Sequence, residues 1–380
     1  MPSINPTEDE FEAFKQSLAA EIKALNARID SLETPAPLDV AKTLGVNYFD
    51  PRFRRKQGEL ARSPDPNFTR LWIDRIAALK MNLIRIPIYL ESLYPYAQNS
   101  ANVINQLKDL AAYCATKKIY FFVQLHQFAN NDETDVGAST SPGGGGGFPS
   151  YIIQGFATAK AFYDRFWTNS LASIPDVWEE LWLRFFKPIL EVCNSNPYFV
   201  GLETMNEPAL YDPSHWVGLG NYNTAIGQKI RNWGSDKYAL FCNGFNRSGT
   251  AGSSPMLNKN AAPRVSKIIY AGHNYGGKVT AEFKQRFTEK IADFKQTQSM
   301  LGCPVIVGEL STGLKVTPLD VLTQDNWDHI FMELKNAKFG GTAWAYASGV
   351  GELHSMVNED GTLRTPGNLY MNARQNVYGY

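Results

Sequence analysis

The sequence is poor in the features that most readily betray a function. It has only four cysteines, Cys114, Cys193, Cys242 and Cys303, far apart and without a Cys-x-x-Cys pair. That spacing argues against a zinc site and against a disulfide-built scaffold. Four buried free thiols are expected, with one or two pairings left open. Net charge is also lacking, since 37 basic residues face 37 acidic ones. No field of one sign then draws the chain to nucleic acid or an anionic membrane, so the expected partner is neutral or mildly polar. No apolar run approaches the ~20 residues of a membrane span. Residues 1–14 lack the charged-then-apolar order of a secretion leader. The expectation is a removed leader or another route out of the cell. HExxH and EF-hand patterns are absent, and His215, His329 and His354 are scattered, so neither a metal nor an organic cofactor is expected.

What is present begins with a helix. Across residues 7–33, Ile22 and Ile29 alternate with Leu18, Leu25 and Leu32 at spacings of four and three, with Phe11 in phase and Lys15 a misfit. This predicts a coiled coil, one amphipathic helix packed on the following domain being the alternative. Arg28 and Glu33 are placed to pair between helices. Ile at a with Leu at d favours a dimer, whereas the run from Arg28 to Glu33 resembles a pattern of trimeric coiled coils. A homo-oligomer through residues 7–33 is expected, a trimer before a dimer. Thr34-Pro35-Ala36-Pro37 ends the helix as a stiff linker, dividing residues 1–38 from a second domain, 39–380.

The texture then changes to short apolar runs alternating with amphipathic stretches, the mark of βα units on a parallel sheet. The expected strands are Leu44–Phe49, Leu83–Ile88, Tyr120–His126, Val200–Asn206, Ala239–Asn243, Ile268–His273, Val305–Glu309 and Thr342–Ala345. Expected helices include Phe68–Lys80, Val103–Lys117, Val177–Cys193, Tyr222–Trp233, Ala281–Met300 and Trp327–Ala337. Such alternation predicts an α/β fold, a closed (β/α)8 barrel. An open doubly wound sheet would carry a Gly-rich loop after its first strand, where this chain has Phe49-Asp50-Pro51-Arg52. A long insertion, roughly 127–176, follows the third strand and contains the run Gly143–Gly147, which has flexible-linker composition.

Functional groups of a parallel barrel project from the C-terminal ends of its strands. The fourth strand runs into Asn206-Glu207-Pro208, and the seventh reads Val305-Ile306-Val307-Gly308-Glu309. Strands four and seven lie on roughly opposite sides of the barrel, so Glu207 and Glu309 can face each other across its axis. Either alone is as well read as a solvated loop-edge charge. Other polar strand ends weigh against that reading. Arg85 interrupts Leu83-Ile84-Arg85-Ile86-Pro87, His126 ends strand three, His273 and Tyr275 end strand six, and Trp344 sits in strand eight. Singly, each has a bland account: a salt bridge for the arginine, satisfied polar groups for the histidines, core for the tryptophan.

Taken in order, these residues resemble the motifs of glycoside hydrolase family 5. That family has an Arg on strand two, a His on strand three, Asn-Glu-Pro on strand four, His-x-Tyr on strand six, Glu on strand seven and Trp on strand eight. The resemblance covers roughly 43–348. Gln127, where the family often has Asn, the Gly-rich loop and the N-terminal helix depart from it. It implies a retaining β-glycosidase with Glu207 as acid/base and Glu309 as nucleophile, acting on a β-1,4-glucan-type polysaccharide or oligosaccharide. Alternatives are a same-clan hydrolase or transglycosylase on mannan or another β-glycan, or a silent trimeric carbohydrate-binding protein. The resemblance further implies that Arg85 and Tyr275 keep Glu309 ionised, that Asn206 bonds the sugar 2-hydroxyl, that His126 and His273 orient substrate and that Trp344 forms the floor. Trp167, Tyr211 and Trp216 are expected to extend the cleft, and Trp178 and Trp182 to be core. An extracellular or particle-associated setting, such as a phage virion, is expected.

Overall fold

The computed structural model describes residues 8, 12–21, 37–50, 52–53, 65–93, 97–127, 148, 152, 155–156, 158–242, 245–246, 259–276, 280–312, 322–346, 355–358 and 360–379. The chain divides into two compact units, Met1–Leu38 and Asp39–Tyr380. In the first, residues 12–21 are helical and exposed throughout, including Phe14 at 62% and Leu18 at 45%. Ile22, Leu25, Ile29, Leu32 and the linker residues 34–36 lie outside the described residues, as does the Gly143–Gly147 run.

The second unit is a closed barrel of eight parallel strands. They are β1 (Leu44–Asn47), β2 (Leu83–Tyr89), β3 (Tyr120–His126), β4 (Phe199–Glu203), β5 (Tyr238–Phe241), β6 (Ile268–Asn274), β7 (Val305–Leu310) and β8 (Gly340–Ala343). Leu44 pairs with Gly341 to close the ring. All but the first residues of β3, β5 and β6 are buried. A strand covered by helices outside and by side chains within reads as a continuous apolar run, which is why sequence texture locates all eight.

Around them stand α1 (Pro66–Ala78), α2 (Ala97–Thr116), α3 (Ala159–Phe166), α4 (Val177–Leu181) running through a π turn (Trp182–Phe186) into α5 (Lys187–Cys193), α6 (His215–Asn232), α7 (Thr280–Leu301), α8 (Gln324–Ala337) and α9 (Thr365–Tyr378). Their starts follow local chemistry. Asp65 accepts from Asn67 N ahead of Pro66, and Thr158, Asp176 and Thr323 accept from the third residue on, each satisfying an orphan helix donor. Helices α3 and α9 were not anticipated. The first lies in the insertion, and the second follows the eighth strand and packs Tyr370 on Trp327 and Phe331 of α8.

Two register details position the later chemistry. β2 and β3 pair without a break from Leu83↔Tyr120 to Tyr89↔His126. β6 and β7 shift register between Gly272 and His273, so that His273 comes level with Glu309. A bulge at a barrel rim commonly re-aims a side chain in this way.

All four cysteines are buried and unpaired. Trp182 is core, and Trp178 is partly buried against it. Trp167 and Tyr211, expected in the cleft, are instead core residues, and Trp216 packs partly buried against the same cluster. Their sequence positions follow strands three and four, but the inserted helix α3 folds inward, carrying Trp167 at its end into the core and packing its Tyr163 on Tyr211.

At Gly201, φ is +155°, and an added Cβ would lie 1.9 Å from the carbonyl oxygen of Tyr238 in the neighbouring strand. Gly201→Ala is therefore expected to destabilise the barrel by about 3 kcal/mol or more, measured by urea unfolding. A change within experimental error would contradict this backbone approach.

Candidate active site

The site is built around Arg85. It stands in the middle of β2, fully buried. Its Nε and Nη2 donate to both oxygens of Glu203 at 2.7 and 2.8 Å. Nη1 donates to Glu309 Oε1 at 2.6 Å and to Asn47 Oδ1 at 2.7 Å. Nη2 also reaches Asn206 Oδ1 at 2.9 Å and His273 Nε2 at 3.2 Å. Burial works against the guanidinium charge, but Glu203 and Glu309 outweigh it and hold its pKa above the ordinary range. Gly308 lies against the same groups: a Cβ there would sit tightly, 3.3 Å, from Ala271 O and in ordinary contact, 3.5 Å, with Arg85 Nε and His273 Cδ2.

Arg85 fixes the tautomer of His273. An arginine only donates, so Nε2 accepts and the ring proton sits on Nδ1. That N–H points at the carboxylates, 3.0 Å from Glu207 Oε1 and 3.4 Å from Glu309 Oε2. Burial, then Arg85, push the His273 pKa down to about 4 against the pull of Glu309, so the ring is neutral. Tyr275 Oη donates to Glu309 Oε2. Burial, with Glu309 and Glu207 nearby, holds the phenol well above its usual pKa, so it keeps its proton.

The carboxylate pair is thus assembled. One oxygen each of Glu207 and Glu309, with His273 between, lie within 4.8 Å of one another. Both residues are buried, at 7% and 3% exposure. Burial raises the pKa of Glu309, and Glu207 adds to the rise, against His273, Arg85 and Tyr275. This corrects the expectation that Arg85 and Tyr275 hold that carboxyl low. Arg85 is a single cation already bound bidentately to Glu203, and its remaining pull is less than the desolvation.

Glu207 is not at a strand terminus as expected, since β4 ends at Glu203 and Glu207 follows in the loop. There its φ is +38°, left-handed and uncommon for a residue with a side chain. Around the pair, His126 Nδ1 donates to Gln124 Oε1 at 3.0 Å, and Gln124 Nε2 to Asn206 Oδ1 at 3.1 Å. The Trp344 indole, half-buried, stacks on the His126 ring at 5.8 Å and 13°, with Phe49 and Tyr89 edge-on to His126. All eight sequence candidates, Arg85, His126, Asn206, Glu207, His273, Tyr275, Glu309 and Trp344, therefore join one connected site. Sequence reasoning missed Glu203, Asn47 and Gln124. A charge inside a strand needs a counter-charge inside another, and Glu203, within the fourth apolar run, was that signal for Arg85.

Glu207, His273 and Glu309, and likewise Glu203, Cys242 and His273, bring metal-ligand atom types together. The hydrogen bonds decide against an ion in either group. Nδ1 carries the proton, Nε2 is taken by Arg85, and Arg85 occupies both oxygens of Glu203. The arrangement suits proton transfer between a carboxyl group and a bound oxygen, with the second carboxylate facing it.

The family model described as Cellulase (glycosyl hydrolase family 5) matches residues 67–349. No curated protein matches the chain. Among solved structures it is similar to a broad-specificity endoglucanase from Clostridium longisporum (15% identity, 89% of this chain and 97% of that one, TM-score 0.59). It is also similar to a family 5 xyloglucanase from Paenibacillus pabuli (16% identity, 88% and 99%, TM-score 0.56). A third likeness is to endo-glycoceramidase II from Rhodococcus sp. (17% identity, 86% and 78%, TM-score 0.62). At these identities the structures speak to the fold.

The hydrogen-bond network makes a spectroscopic prediction. With histidine-selective isotope labelling, the His273 ring is expected to stay neutral with its proton on Nδ1 from about pH 8 to about pH 5. A titration centred near the ordinary histidine value would contradict the assignment.

Proposed function

The chain belongs to glycosyl hydrolase family 5, and on that premise we propose that it is a retaining endo-β-glycosidase cleaving a β-1,4-linked glucan-type polysaccharide. One observation carries the reading: opposed buried carboxylates with oxygens within 4.8 Å. Carboxyl groups roughly 5–5.5 Å apart leave room for direct attack on carbon, whereas inverting enzymes keep them ~6.5–9.5 Å apart to admit a water. The activities of the similar structures, endoglucanase and xyloglucanase, support a glucan backbone as substrate.

In this reading Glu309 is the nucleophile. Arg85 and Tyr275 each bond one of its oxygens and so orient the carboxylate. Glu207 protonates the departing glycosidic oxygen, then as a base draws a proton from the water that cleaves the glycosyl ester. Its Oε1 accepts from His273 Nδ1, which orients the carboxyl group. Asn206 spends its Oδ1 on Arg85 and Gln124 and one amide N–H on Gln127, leaving the other N–H for the sugar 2-hydroxyl. Trp344 and His126 offer an aromatic wall to the sugar ring.

Glu309→Gln and Glu207→Gln are each expected to lose about a thousandfold or more of kcat/KM on β-glucans, with the parent releasing β-configured reducing ends by proton NMR. Inversion, or full activity in either variant, would sink this mechanism.

The N-terminal helix supports a further reading, that residues 7–33 assemble the chain as a homo-oligomer, a trimer before a dimer, in an extracellular or particle-associated setting. Phe14 and Leu18, one turn apart and exposed, are the apolar surface that association would cover. Light scattering is expected to give an oligomer for the full chain and a monomer for a chain starting at Asp39. Monomers in both would end the proposal.

A further inference from the structure

The left-handed backbone at Glu207 needs something to hold it. A residue with a side chain at φ +38° sits in a sparsely populated region and persists only where its surroundings enforce it. The enforcement comes from Gln127. Its Nε2 donates to the carbonyls of both Asn206 and Glu207, so one NH2 group clamps the two peptides that set the Glu207 turn. The backbone carbonyl of Gln127 accepts from Asn206 Nδ2 at 2.9 Å, and Asn206 N donates to Leu125 O at 2.9 Å. The orientation of the clamp is itself fixed. Tyr163 Oη, from α3, donates to Gln127 Oε1 at 2.8 Å. Turning the amide over would set its oxygen against two carbonyl oxygens, so the tyrosine bond and the two carbonyls demand the same orientation. Gln127 and Tyr163 are both buried to about 1% exposure.

Helix α3 belongs to the insertion, and it is fastened to the same loop at further points. Trp167 Nε1 donates to Ala209 O at 2.9 Å. Asp164 bonds His215 Nε2 at 2.8 Å, while His215 Nδ1 accepts from Tyr211 N at 3.1 Å. The stretch after Glu207 is thus held from the helix side along its length.

We infer that Gln127 and Tyr163 are positioning residues for Glu207, through which the inserted helix fixes the backbone turn that aims the acid/base carboxyl. The inference rests on the reading of Glu207 as the acid. It differs from a purely structural role in one consequence. A mis-aimed acid slows only those reactions whose leaving group needs a proton, because an aryl oxide as stable as dinitrophenolate departs unaided.

The test uses phenyl and dinitrophenyl β-cellobioside with the full chain, comparing kcat/KM, which reports the bond-breaking step. Tyr163→Phe, which keeps the ring in its aromatic packing, and Gln127→Asn, too short to span both carbonyls, are each expected to lose about tenfold on the phenyl glycoside and less than about twofold on the dinitrophenyl one. Glu207→Ala serves as the reference and should show the same split in larger measure. Thermal unfolding of each variant separates misfolding from mis-aiming. If Glu207→Ala splits the two substrates while Tyr163→Phe and Gln127→Asn lose equally on both, or lose nothing, the inference is overturned and the function reading stands. If Glu207→Ala shows no split, or the parent cleaves neither glycoside, the function reading falls and takes the inference with it.

Discussion

One buried guanidinium organises this molecule's chemistry. Arg85 is shut off from bulk solvent, so its charge must be met by groups from other strands: Asn47 on β1, Glu203 on β4, His273 on β6 and Glu309 on β7, with Asn206 beyond β4. Removing one partner of such a buried set leaves an uncompensated charge, at a cost of about 3–5 kcal/mol. The same bonds that satisfy the arginine fix the rotamer of Glu309, the amide of Asn206 and the tautomer of His273. Stability and pre-organisation are therefore one requirement here, because the geometry that answers the buried charge also sets the two carboxyl groups face to face.

Much of the barrel was legible because its strands are buried on both faces and so read as apolar runs, from Tyr120–His126, matched to the residue, to β8, where two glycines blurred the start. Helix α3 was not legible. Its apolar positions sit within an insertion, and nothing local says whether such a segment packs inward or lies over the cleft. That is why Trp167 and Tyr211 were assigned to a sugar cleft and proved to be core.

The site was legible residue by residue through polar groups that interrupt apolar strands, since an apolar strand has no structural use for them. What the sequence withheld was connectivity. Glu203 is an interior acid whose partner is two strands away, and Gln127 matters through its reach to the carbonyls of Asn206 and Glu207. The direction of the Glu309 shift was also hidden. It depends on burial and on how one cation is divided between two acids, and both are tertiary quantities.

The charge tally of the described cluster has a consequence for what it admits. Glu203 and Glu309 bond a single arginine and Glu207 bonds the neutral imidazole of His273, so acidic side chains outnumber the cation at the floor. Among groups buried this deeply, such an imbalance works against any further negative charge brought beside them.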